Sequence, residues 1–226
     1  MAREAMMIEH TQDEWIILGA LCEFISISLR LPTTELAEVL SSGEFIETIK
    51  EIGEQAGLGC IQLAHIDVLL AEYKGQNSEE LFHSLRTEYT RLLVGTPVPV
   101  VSPYAGVWHA KDQGVEPLLF INPHTMEIER FMRKHGIGQA EGKNEPLDHI
   151  ASEFEFLQYL ALVNASAVEV CSVVEIPEAA FSTFFFQYVS NWASKFANEV
   201  LATTKLGFYK AAAEILIAML HTEQVH

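Results

Sequence analysis

Apolar residues recur at helical spacing along most of this chain, and polar residues between them mark where helices start and stop. Thr11 and Glu14 make a capping-box pattern, in which the hydroxyl accepts a backbone N–H and the carboxylate reaches back. The helix that follows is predicted to run to about Leu31 and to end before Pro32, whose ring disfavours helical geometry in the preceding residue. Thr34 opens a short helix ending near Gly43, and Glu44 opens one ending near Gln55, ahead of Gly57 and Gly59. From Leu58 to Tyr73, Ile61, His65, Val68 and Leu69 share one helical face, so His65 reads as a core residue. Asn77 and Glu80 signal another start, and that helix carries Leu81, Leu85, Tyr89 and Leu92 as a stripe.

The texture then changes, with six of the eight prolines falling between Pro97 and Pro146. A helix does not continue through Pro97-Val98-Pro99 or into Pro103, because each ring removes a donor. A long ordered loop is expected there, and such loops often carry function. Further helices are predicted over Thr125–Lys134, from Asp148 to about Asn164 with Ile150, Phe154, Leu157 and Leu160 inward, from Pro177 through Phe181–Phe186 to about Ala202, and over Leu206–His221. No strand or repeat is evident. The expected fold is all-α: one domain over residues 1–226, with roughly eight to eleven helices by ordinary element lengths.

Composition agrees with a packed core, since 49% of residues are hydrophobic and 20% charged. The net charge of −17 comes from 31 acids against 14 bases. Such a surface repels nucleic acid and anionic lipid and favours a basic partner, although it also serves solubility. Cys22, Cys60 and Cys171 are odd in number and form no CxxC pair, so neither a disulfide framework nor a zinc site is expected. A reducing compartment fits, with each thiol as a small buried residue. The first 13 residues have mixed charge and no apolar core, unlike a secretory signal. Glu23 and Arg30 interrupt the apolar run Trp15–Leu31, which falls short of the ~20 residues a membrane span needs. A cytoplasmic protein without stable membrane insertion is expected.

Two short blocks carry the candidate chemistry. The first runs Tyr89-Thr90-Arg91-Leu92-Leu93-Val94-Gly95 into Ser102-Pro103-Tyr104-Ala105-Gly106-Val107-Trp108. Its aromatic rings suit an apolar or cationic peptide, or equally a plug onto the core. The second is Asn144-Glu145-Pro146-Leu147-Asp148-His149 with Glu153. Asp148 is a plausible N-cap, and His149 and Glu153, four apart, share a helix face. The carboxylates of Glu145, Asp148 and Glu153 would offer an arginine pair an acidic rim, or merely lock a helix end. No GxSxG elbow, HExxH pattern, GxxxxGK[ST] loop or GxGxxG turn occurs, so no catalytic residue, metal or cofactor is assigned.

In order and spacing these blocks, with Gly136-Ile137 between them, resemble the TorD/DmsD family of redox-enzyme maturation chaperones. The resemblance implies an all-helical protein, not an enzyme, that binds the twin-arginine signal peptide or the body of a molybdopterin oxidoreductase precursor. It would hold that client back from export until the cofactor is inserted. It implies a peptide site lined or supported by Leu92, Pro103, Tyr104, Trp108, Glu145, Asp148 and His149, with Tyr89, Arg91 and Glu153 behind them. Tyr104 departs from the Trp of some members and Leu93 from a common Phe, which bears on the client more than on the role. Monomer and homodimer both remain open. The alternatives are a nitrate-reductase type of assembly factor for a client that is not exported, a helical hydrolase using His149, and an adaptor with no peptide groove.

Overall fold

The computed structural model describes residues 10–95, 97–116, 122–138, 146–169 and 174–225. Among these the architecture is all-α, with eleven α-helical segments and no strand. They are α1 (Gln12–Leu29), α2 (Thr34–Ser42), α3 (Glu44–Gln55), α4 (Cys60–Ala71), α5 (Ser78–Tyr89), α6 (Ala105–Asp112), α7 (Pro123–Lys134), α8 (Ile150–Asn164), α9 (Ala180–Phe184), α10 (Ser190–Thr203) and α11 (Gly207–Val225). The Thr11–Glu14 capping box forms as the sequence predicts, and Gly43 ends α2 in the left-handed conformation.

The central pair is α1 against α8. Gln12 Nε2 donates to Ala165 O at 3.1 Å and Ser26 Oγ to Ala151 O at 2.8 Å, so the two helices run antiparallel. Gly19 lies at this contact, where a Cβ would meet Leu162 at 3.4 Å. Around this pair, α11 packs on α10, α4 and α1. The Phe181–Phe186 run feeds the core: Phe181, Phe184 and Phe185 are buried, with Trp15 and Phe156 edge-on to Phe181 and Phe184 at 5.2 and 4.7 Å.

Three expectations change. The helix predicted from Pro177 to Ala202 is broken by a π-helical turn over Phe185–Val189, and a second such turn, Thr90–Val94, follows α5. On α4 the inward face is Leu63, Ile66 and Leu70, while Ile61 and Val68 face solvent. His65 is likewise exposed, with Nδ1 2.8 Å from Glu214 Oε2. The helix is apolar nearly all round, so periodicity alone does not select its buried side. Finally, Cys60 is exposed and Cys22 buried, while Cys171 lies outside the described residues.

Arg91 holds the turn after α5 in place. Its Nε and terminal nitrogen each donate to a Glu88 carboxylate oxygen at 2.8 Å, and it also donates to Thr203 O at 2.8 Å. Glu88 further accepts from Lys205 N at 2.6 Å and Thr204 Oγ1 at 3.0 Å, tying α5 to the α10–α11 junction. The Arg91 bonds, and then the backbone and hydroxyl donors, hold Glu88 down to about 2 against an ordinary value of 4.5, despite its burial. A depressed folded-state value stabilises the fold above pH 4.5 and loses that contribution as pH falls toward 2. In acid titrations followed by circular dichroism, Glu88→Gln is therefore expected to lose roughly 2–3 kcal/mol at pH 7 and to flatten the acid limb of the stability curve. An unchanged acid limb would rule this out.

Candidate functional site

The two sequence blocks meet through their backbones. Ala105 N donates to Asp148 O at 2.9 Å and Ile150 N to Pro103 O at 2.8 Å, pairing Tyr104 with His149 in a short antiparallel bridge. The rings of Tyr104 and His149 meet edge to face at 5.3 Å. Proline 103 has no N–H to give, so at that position the loop only accepts.

The predicted N-cap role of Asp148 is corrected. His149 caps α8, its Nδ1 accepting from Ala151 N at 3.1 Å. Asp148 instead reaches across the bridge, where its Oδ2 accepts from Gly106 N in the first turn of α6 at 3.0 Å and from Thr125 Oγ1 in the first turn of α7 at 2.7 Å. Free amides and dipole at a helix start favour an acidic group there. Asn122 closes the arrangement, donating to Gly106 O at 2.6 Å while its own oxygen caps α7 through His124 N at 3.0 Å. Only glycine fits at 106, because a Cβ would stand 2.5 Å from Thr125 Oγ1 and 3.0 Å from Asp148 Oδ2.

The acidic rim is also corrected. Asp148 and Glu153 are 2% and 0% exposed, and Glu145 lies outside the described residues. Burial raises Asp148 against the pull of Thr125 and Gly106. Burial, then the nearby Asp148 charge, raises Glu153 well above the ordinary range; its Oε2 accepts from Trp192 Nε1 at 3.1 Å. His149 is pushed down to about 4 by burial and then by Arg30, so its ring is neutral at pH 7. With its Nδ1 engaged as a cap and its basicity lowered, His149 is poorly suited to the general-base role that the hydrolase alternative requires. Among the described residues no cluster of three or more His, Cys, Asp or Glu is placed to hold a metal ion.

His149 and Tyr89 line a cleft of about 630 Å³ between α1, α7 and α8. Leu31, Leu147, Phe156, Tyr159 and Leu162 supply its apolar wall, and Arg30 and Glu155 its charge. Arg30 pairs with Glu155 at 3.2 Å and with Ser26 Oγ at 2.8 Å; the Glu155 side chain keeps 64% of its exposure. Leu92, Pro103 and Trp108 are buried and take no part in the lining of this cleft, Trp108 donating to Ser102 O at 2.7 Å, while Tyr104, also outside the lining, is half-buried. Arg91 belongs to the Glu88 pair. The sequence reading missed Arg30, Leu31 and Glu155. The available signal was Arg30-Leu31 standing directly before Pro32, where the chain must leave the helix.

The family model described as nitrate reductase delta subunit matches residues 61–198. A protein of Vibrio cholerae named chaperone protein TorD is 26% identical over 149 residues, covering 66% of this chain and 64% of that protein. Its Aliivibrio fischeri namesake is 27% identical over 188 residues, 83% of each chain. The alignment thus spans a little under two thirds of the Vibrio cholerae relative. A crystal structure described as a redox enzyme maturation protein of Archaeoglobus fulgidus, with that description given as putative by its solvers, shares the fold at a TM-score of 0.51, with 18% identity over 94% of this chain and 96% of that one.

Because Glu153 folds with a raised value, the unfolded chain sheds its proton first, and wild-type stability falls as pH rises above the ordinary 4.5. Glu153→Gln keeps an acceptor for Trp192 without the ionisation. Thermal melts between pH 5 and 9 should show the variant gaining on wild type as pH rises; a constant gap would show that Glu153 is ionised in the folded protein.

Proposed function

Since this chain belongs to the nitrate reductase delta subunit family and is of the TorD/DmsD type, we propose that it is a cytoplasmic maturation chaperone, not an enzyme, for a molybdopterin oxidoreductase. It binds the twin-arginine signal peptide of the client precursor and keeps that precursor from export until the cofactor is in place. The observation that carries the reading is the cleft beside the bridge, which combines aromatic and aliphatic walls with an exposed carboxylate. Glu155 meets a peptide arginine by exchanging its bond to Arg30 for one to the client, at little cost because that exposed pair is weak. Leu31, Leu147 and Tyr159, the more exposed residues of the apolar wall, face the stem that follows. His149 and Asp148 act behind the contact, fixing the cleft wall to α6 rather than touching the arginine.

The family model's description favours a second reading, in which the client is a nitrate reductase that is never exported and the contact is with its folded body. No single helix among the described residues is long and apolar enough to cross a membrane.

Calorimetric titration with a twin-arginine peptide and its Lys-Lys variant separates these. Saturable binding is expected, weaker at higher salt and about tenfold weaker for Lys-Lys, because lysine cannot make the bidentate contact. Glu155→Gln should cost a similar factor without lowering Tm. No peptide binding by a folded protein that does bind the mature client would establish the second reading instead.

A further inference from the structure

The contact between α6 and α7 carries a pair of ionisable rings that takes no part in lining the cleft. His109, one turn past Gly106 on α6, stacks on His124 in the first turn of α7. The ring centroids are 4.1 Å apart and the planes 3° from parallel. Both rings are half-buried. Gln113 Nε2 lies 2.8 Å from His109 Nε2. An amide nitrogen only donates, so this ring nitrogen offers its lone pair, and a proton there would displace Gln113.

The surroundings distinguish one proton from two. Glu127 and Arg130 of α7 stand near the stack, as does Tyr188 of the second π-helical turn, whose ring is 5.9 Å from that of His124. Toward α10, Lys195 is paired with Asp112 at 2.6 Å, and Lys111 lies over the Trp108 ring. Burial, and then His109, hold His124 below the ordinary value of 6.5, while Glu127 pulls the other way. One imidazolium lies comfortably on a neutral imidazole beside a carboxylate. Two facing cations at this spacing repel, with no water between the planes to screen them.

The stack closes the same joint that Asp148 makes. Gly106, three residues before His109, gives its N–H to Asp148 and its carbonyl to the Asn122 amide. Asn122 and Thr125, on either side of His124 in sequence, are bonded into that joint. The helices therefore meet at a hydrogen-bonded contact and, one turn further along α6, at an ionisable one. We propose that the His109–His124 stack is a proton-operated latch: with at most one proton it closes α6 on α7, and with two it parts them and releases Gly106 from Asp148. Acidification is the signal. His149, next to Asp148, lines the cleft, so the cleft wall loosens with the latch, whatever the cleft binds. Because His124 is held below 6.5 in the fold, the unfolded chain takes up its proton first as pH falls. The stabilising effect of the neutral stack is complete above 6.5 and declines below it.

The test follows NMR signals of the full-length protein from about pH 7.5 to about pH 5, with folding checked by circular dichroism. In His109→Gln one titrating ring remains, and the His124 C2–H resonance should titrate at higher pH than in wild type. Amide exchange, corrected for its intrinsic pH dependence, reads the joint. In wild type, protection of Gly106 N–H should fall roughly fivefold or more over this range. That of Phe208 N–H, bonded to Tyr73 away from the joint, should hold. Both His109→Gln and the reciprocal His124→Gln should keep Gly106 protected. An unchanged His124 titration in His109→Gln overturns the latch, as does constant Gly106 protection in wild type. Equal loss at Gly106 in the two variants would assign the effect to protonation of Asp148, and parallel loss at Phe208 to general acid unfolding; either overturns it.

Discussion

The reach of the Asp148 carboxylate across the Tyr104–His149 bridge is the contact on which the site depends. Two segments with prolines at 97, 99, 103 and 146 cannot satisfy their backbones within themselves. They do so through each other, by two backbone bonds and one carboxylate that accepts from Gly106 and Thr125. That carboxylate starts α6, Asn122 joins the same turn to α7, and His149 starts α8. Three helix starts are thereby fixed around one buried group. His149, which also lines the cleft, ties the cleft wall to this joint.

Acidic residues in this protein fall into distinct physical classes. Glu88 is buried yet ionised, because Arg91, a backbone amide and a hydroxyl replace its water. Glu153 is buried with one indole donor and an acidic neighbour, which favours its neutral form. Glu155, two residues on, faces outward and remains available to a cation. One turn of a single helix thus holds a buried acid whose ionisation is disfavoured and an exposed acid paired with Arg30. The difference lies in what packs against them, since the residue type is the same.

Family membership and geometry divide the functional argument between them. The family model places the chain in the nitrate reductase delta subunit family, relatives named chaperone protein TorD align with it, and the Archaeoglobus fulgidus structure shares its fold. Geometry adds which side chains of the two blocks and the cleft are exposed and which are buried. Asp148, Glu153, Leu92 and Trp108 are of the second kind.

The sequence by itself determined the helical content and most helix starts, because Thr11, Thr33, Asn77 and the prolines act on their own neighbours through local hydrogen bonds and φ limits. It also marked the two blocks that come together, and the aromatic run that fills the core. Tertiary structure alone decided that Asp148 serves α6 rather than α8, because its donors, Gly106 and Thr125, are 42 and 23 residues away. It decided which side of the uniformly apolar α4 is buried, since only the helices packed against α4 distinguish Leu63 from Ile61. And it decided that the cleft is lined by Arg30, Leu31 and Glu155, because the antiparallel packing of α1 and α8 brings Arg30 beside Glu155, 125 residues away.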